Sequence, residues 1–178
     1  MSAQEKLQAV LGANFAAAGK TMARLRHSLQ AASALLPVDA ARVAALTDIE
    51  MERPDALLKR YERAVDALQN GLLERVATLP GEDVAALSRR DVADLMERRG
   101  ALPDAAQWTQ AVLPRNRLAH DYPTQPERQA ARPNAVMERG AWLLQVFGQV
   151  SVIWSRGYRC ADPACRRPGI LGVCRASL

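Results

Sequence analysis

A chain of 178 residues is sized for one domain, and with 49% hydrophobic and 24% charged residues it has enough apolar material for a packed core, which excludes a disordered tail or linker. Aromatics are only 4%, with Ala, Leu and Arg abundant, which favours helix over sheet. The net charge of +5 attracts polyanions, so RNA, DNA and acidic proteins are the expected classes of partner.

No apolar run is long enough to span a membrane. The opening Met1-Ser2-Ala3-Gln4-Glu5-Lys6 lacks the charged-then-apolar pattern of a signal peptide, so a cytoplasmic protein is expected. From Leu7, apolar residues recur at Leu11, Phe15, Ala18, Met22, Leu25, Leu29, Ala32 and Leu36. Steps of three and four mark one face of an α-helix, or of two nearly collinear helices, running to Pro37. His27 on this helix reads as a surface or partly buried histidine.

Asp39 is placed to cap a short helix through Val43 and Leu46. Pro54 suits the first turn of the next long helix, because its missing N–H has no partner there in any case. Leu58, Tyr61, Val65, Leu68, Leu72, Val76 and Leu79 form its stripe, and two such helices should pack antiparallel. The run Lys59-Arg60-Tyr61-Glu62-Arg63 reads as a solvated charged face.

Pro80-Gly81 signals a turn, and Ser88 with Asp91 forms a capping box for a helix carrying Val92, Leu95 and Met96. Gly100 is placed to end it. Pro103-Asp104 opens another helix with Trp108 and Val112 inward, and Pro114 should kink or restart it at Arg115. Thr124 and Glu127 frame a single turn, and Pro133-Asn134 is the expected start of a last long helix through Val136, Leu143, Phe147, Val150 and Trp154, ending at Gly157. The remainder holds Cys160, Cys165 and Cys174 and has no periodicity, so it reads as poorly ordered. Three thiolates without a fourth ligand do not make a structural zinc site, and no metal or cofactor is expected.

The densest chemistry is Arg115-Asn116-Arg117-Leu118-Ala119-His120-Asp121-Tyr122. On a helix Asn116 and His120, four apart, share a face, so the amide can fix the imidazole tautomer. Arg115 precedes His120 by five and points ~140° away on an ideal helix, so the two meet only if the helix ends nearby or a second subunit takes part. A histidine exchanges protons near neutral pH and an arginine forks onto phosphate oxygens. Those groups suffice for metal-free RNA cleavage, in which His120 takes the 2′-OH proton and Arg115 stabilises charge on the phosphate. The bland alternative is an Arg and a His that neutralise a helix end. Tyr122 precedes Pro123, which disfavours helix at the residue before it and leaves the phenol accessible.

Arg115-Asn116-x3-His120-x-Tyr122 resembles the R-x4-H-x-Y motif of HEPN-domain proteins, particularly the HepT-like toxins of HEPN/MNT toxin–antitoxin pairs. Leu102-Pro103-Asp104, Trp108 and the run from Arg115 to Pro123 follow the same pattern. The resemblance implies an all-α antiparallel bundle of four to five main helices that works as a homodimer. Residues 1–157 would form the domain, with 19–157 matching the family, 1–18 an N-terminal helical extension and 158–178 a tail. It further implies a metal-independent endoribonuclease with catalytic Arg115 and His120 and with Asn116 beside the arginine, at a cleft between subunits. Tyr122 matches the tyrosine to which a nucleotidyltransferase antitoxin adds AMP. Pro114 departs from the pattern. Relatives of the domain also serve as non-catalytic partners that dock a nucleotidyltransferase or present its substrate, and a nucleic-acid-binding dimer without catalysis is a third expectation.

Overall fold

The computed structural model describes the backbone of residues 3–78, 86–118 and 125–159, and side chains at 6, 8–78, 86–113 and 125–156. Its described residues are helical, with no strand among them. The first helix, α1 (Ala3–Ala32), runs unbroken through Gly12 and Gly19 and stops one turn short of Pro37. Leu11, Phe15 and Ala18 of its N-terminal half belong to the same core as Met22 and Leu25.

Asp39 caps α2 (Ala40–Ala45), its carboxylate accepting from the Arg42 N–H at 2.7 Å. The long α3 (Asp48–Asp66) starts earlier than Pro54 suggested. A reciprocal box begins it: Thr47 Oγ1 accepts from the Glu50 N–H and the Glu50 carboxylate accepts from the Thr47 N–H. These bonds hold the Glu50 carboxyl below the usual carboxylate range. Pro54 therefore lies inside the helix, where it is buried; the cap and the packing outweigh its missing bond, which ordinarily costs ~3 kcal/mol.

α3 runs into a π-helical stretch, Ala67–Leu73, and then α4 (Glu74–Ala77). The reason lies in the spacing of inward residues. The buried pairs Ala64-Val65, Leu68-Gln69, Leu72-Leu73 and Val76-Ala77 repeat every four residues. On a regular α-helix a step of four overshoots by ~40°, so three steps would swing the last pair ~120° off the core. The wider i→i+5 turn absorbs the excess. It also draws the polar Gln69 into the core at 5% exposure, with its Oε1 unpaired.

Ser88 and Asp91 form the expected capping box of α5 (Arg89–Arg98), holding the Asp91 carboxyl below its usual range. Gly100 ends it at φ +72°, a conformation that favours glycine. The Gly100 N–H donates to the Glu97 carbonyl and the Ala101 N–H to the Met96 carbonyl, both at 2.8 Å, a Schellman closure. Asp104 then caps α6 (Ala105–Leu118) by accepting from the Gln107 N–H at 2.7 Å. α6 continues through Pro114 and does not restart at Arg115. The last helix, α7 (Pro126–Arg159), likewise begins before the expected Pro133 and continues past Gly157, into the segment assigned to the tail. Pro126 occupies its first position, where a proline costs nothing, and Pro133 is carried inside, buried. Asn134 does not cap a helix. Its Oδ1 accepts from the Val38 N–H (3.0 Å) and its Nδ2 donates to the Val38 carbonyl (2.7 Å), tying α7 to the chain entering α2.

The helix directions follow from contacts at both ends. Asn14 Nδ2 donates to the Gly71 carbonyl at 3.3 Å, while the Arg60 guanidinium donates to Ser28 Oγ, so α1 and α3 are antiparallel. Phe15 stacks on Trp154 with ring centroids 4.3 Å apart, while Gly140 lies against Leu29, so α1 and α7 are antiparallel too. On the other side of the α3–α7 pair lies α6: Gly100, just before it, adjoins Gln145 to Arg156, and Trp108 meets Trp142 at 6.5 Å. α6 thus runs antiparallel to α7, giving an up-down-up-down bundle of α1, α3, α6 and α7. Leu79 of the expected stripe and the Cys-bearing tail lie outside the described residues.

Candidate functional site

α6 carries the first residues of the candidate segment. Arg115 and Asn116 lie in the C-terminal part of α6, in helical backbone; His120 and Tyr122 lie outside the described residues. Seven residues beyond Trp108, about 10 Å along the axis, Arg115 comes level with Ala135, seven before Trp142 on the antiparallel α7. The described ends of α6 and α7 that flank residues 119–124, Leu118 and Pro126, thus lie at the end of the bundle that holds the start of α3.

Tyr61 braces this end from below. It is 0% exposed, and its hydroxyl donates to the Ala111 carbonyl at 2.8 Å. Ala111 is one turn before Arg115, and Pro114 supplies no N–H to the helix there. The phenol thus adds a bond to α6 at the residue after Gln110, whose carbonyl lacks a helical donor because position 114 is proline. Burial pushes the Tyr61 phenol up to about 12, with the Arg139 guanidinium of α7 pulling the other way. Tyr61 therefore remains a donor throughout the neutral range.

Three arginines that sequence reasoning passed over share one side of α7. At ~100° per residue, Arg128, Arg132 and Arg139 fall within ~40° of one another, with Ala135 between them. Arg132 and Arg139 are half-buried and Arg128 is exposed. The four-and-seven spacing was a legible signal; Tyr61's role was not, because its partner is 50 residues away.

Other charged candidates resolve plainly. His27 is exposed, and in the α3 run Lys59 pairs with Glu62 at 2.8 Å on the outer face. Among the described residues no group of three His, Cys, Asp or Glu is arranged to hold a metal ion, and no helix is long and apolar enough to cross a membrane. An open groove of about 520 Å³ lies between Gly100 and α7, lined by Gln145, Gly148, Gln149, Val152, Ile153 and Arg156, at the opposite end of α6 from Arg115.

Arg115 thus lies on α6, and Arg128, Arg132 and Arg139 lie on the adjacent antiparallel α7. Comparison of the chain with protein-family models, with curated proteins and with solved structures gave no match.

Proposed function

We propose that this protein is a metal-independent endoribonuclease of the HEPN toxin type, acting as a homodimer and neutralised by a nucleotidyltransferase antitoxin. One observation supports the reading: Arg115 and Asn116 lie on α6, which packs antiparallel to α7, and the rest of the Arg115-Asn116-x3-His120-x-Tyr122 segment falls in the sequence between the described ends of the two helices. The five-residue spacing from Arg115 to His120, which a continuous helix opposes, is met in this reading by a second subunit.

In the proposed reaction His120 accepts the proton of a ribose 2′-OH. The oxygen attacks the adjacent phosphorus, the bond to the 5′ oxygen breaks, and that oxygen leaves with a proton. The products are a 2′,3′-cyclic phosphate and a 5′-hydroxyl. Arg115 balances the charge gathering on the phosphoryl oxygens, and Asn116 orients the imidazole. Addition of AMP to Tyr122 would place a phosphate beside Arg115 and block the site.

The test is incubation of RNA with the purified protein in excess chelator. Cleavage to cyclic-phosphate ends, absent in a folded His120→Ala variant and absent on DNA, is expected. Uncut RNA, with tight binding to a nucleotidyltransferase, would instead support the non-catalytic docking subunit.

A further inference from the structure

We infer that the outward side of α7, from Glu138 to Arg156, is a docking surface for a second copy of this chain, whose own α7 lies antiparallel on it about a two-fold axis beside Gly148. This contact is separate from the subunit cleft of the ribonuclease reading and does not depend on it.

The charge pattern of α7 has a gap. The chain is 24% charged, yet no charged residue occurs from Gly140 to Ser155. A fully buried helix would account for that, but one side of this stretch is open. Ala141, Gln145, Gly148, Val152 and Ser155 are all exposed. Their steps of four and three keep them within ~80° of one another. Val152 is 45% exposed, and the groove of about 520 Å³ runs along this side from Gln145 to Arg156. A Cβ added at Gly148 would meet nothing within 4 Å, so a second backbone has room to approach there. Alternating steps of three and four are the spacing on which helices pack at a shallow crossing of ~20°.

The order of the polar residues selects a second copy as the occupant. Across a two-fold axis, antiparallel helices set opposite one another residues equally far from the axis on either side. Gln145 and Gln149 are centred on position 147, and so are Glu138 and Arg156. All four are exposed and lie within ~40° of one another around the helix. One axis therefore sets Glu138 of each copy against Arg156 of the other, and Gln145 against Gln149, whose amides donate and accept in turn. Among the described residues neither Glu138 nor Arg156 is held in an ion pair. Each charged end is nine residues from the axis, about 14 Å. At a ~20° crossing the helices have parted by only about 5 Å there, within reach of two long side chains. Arg115, level with Ala135, lies about 18 Å along the helix from the same axis, so the pair carries its two α6 C-terminal ends at opposite extremes.

A contact of one helix per copy belongs to the weaker class of interfaces, so the test is sedimentation equilibrium of the full-length chain across the micromolar range. Glu138→Arg and Arg156→Glu should each halve the mass of the assembly, because like charges then meet at both ends. An equimolar mixture of the two variants should restore it, since every charge again faces its opposite, and so should the double variant. Gly148→Leu, whose Cβ meets nothing in the single copy, should halve the mass while melting with the parent. A wild-type mass that none of these substitutions changes would overturn the inference. Single variants that dissociate, with no recovery in the mixture or the double variant, would overturn it as well. Absence of RNA cleavage alters none of these masses, so the inference and the nuclease reading stand or fall separately.

Discussion

Along α7 the buried positions are apolar throughout, Ala130, Pro133 and Val136 in the first half as much as Val150 in the second, but the side that Val146 lies on changes chemistry. Between Trp142 and Val150 it is apolar and closes the core; between Arg128 and Arg139 it is cationic and only partly covered. Near the Phe15–Trp154 stack, burial alone decides residue type. Near the α6–α7 junction the same side is only half-covered, where a long arginine can lay its stem along the bundle and keep its charge at the edge.

The sharpest way to break the comparison is a reciprocal exchange. Val146→Arg places an unpaired guanidinium in the core and should cost more than about 4 kcal/mol, leaving the chain unfolded by circular dichroism. Arg139→Leu should melt within about 1 kcal/mol of wild type, because Arg139 is only half-buried. Equal tolerance of both changes would abolish the distinction.

Tyr61 marks the seam between the halves, and its titration reads how dry the seam is. Its phenol is raised from 10 to about 12 on folding. A raised pKa means the folded state holds the proton longer, so the stabilisation is complete below pH ~10 and is lost as pH rises through about 12. The loss amounts to roughly 3 kcal/mol over that window. Tyr61→Phe removes the titration; a denaturation midpoint falling as steeply in that variant would show the seam is not the cause.

Gly140 tests the apolar side at its edge. A Cβ there would come within 2.6 Å of Leu29 Cδ2 and 3.2 Å of its Cγ. Gly140→Ala should cost about 1–3 kcal/mol, because the whole Leu29 side chain must move. No loss in thermal stability would mean that α1 and α7 are loosely packed there.

The smallest effect belongs to the cationic half. Asn134→Ala removes both bonds to Val38 and should cost about 1–2 kcal/mol. Its helix content below the melting transition should be retained, since the loss is local to the clasp between α7 and the chain entering α2.

Much of this architecture could be read from the chain, and the exceptions have a common cause. Periodicity located every long helix, and Asp39, Ser88 with Asp91, and Gly100 act locally, as their types dictate. Pro54 and Pro133 misled, because each lies buried inside a helix whose packing outweighs a local penalty, and α6 runs on through Pro114 without restarting. The π stretch has no local signature; it emerges only when inward positions are counted across four turns. At the candidate site, Arg115 and Asn116 were singled out from residue type and from the resemblance, and the structure places both on α6. The anchoring phenol of Tyr61 and the Asn134 clasp were not, because they join residues 50 and 96 apart in the chain.

The π stretch makes the molecule unusually forgiving of one kind of genetic change. A codon lost from a long helix ordinarily rotates everything downstream by ~100° and turns the core side to water. Within Ala67–Leu73 the chain already carries one residue too many for an α-helix. Removing the exposed Asn70 would bring Leu72-Leu73 and Val76-Ala77 one place closer and let an ordinary helix present the same inward pairs. That deletion should therefore fold, whereas loss of exposed Ala23 from the middle of α1 should not. A shortened chain of this kind is a natural length variant for this fold, and the place where an insertion is most easily gained or given back.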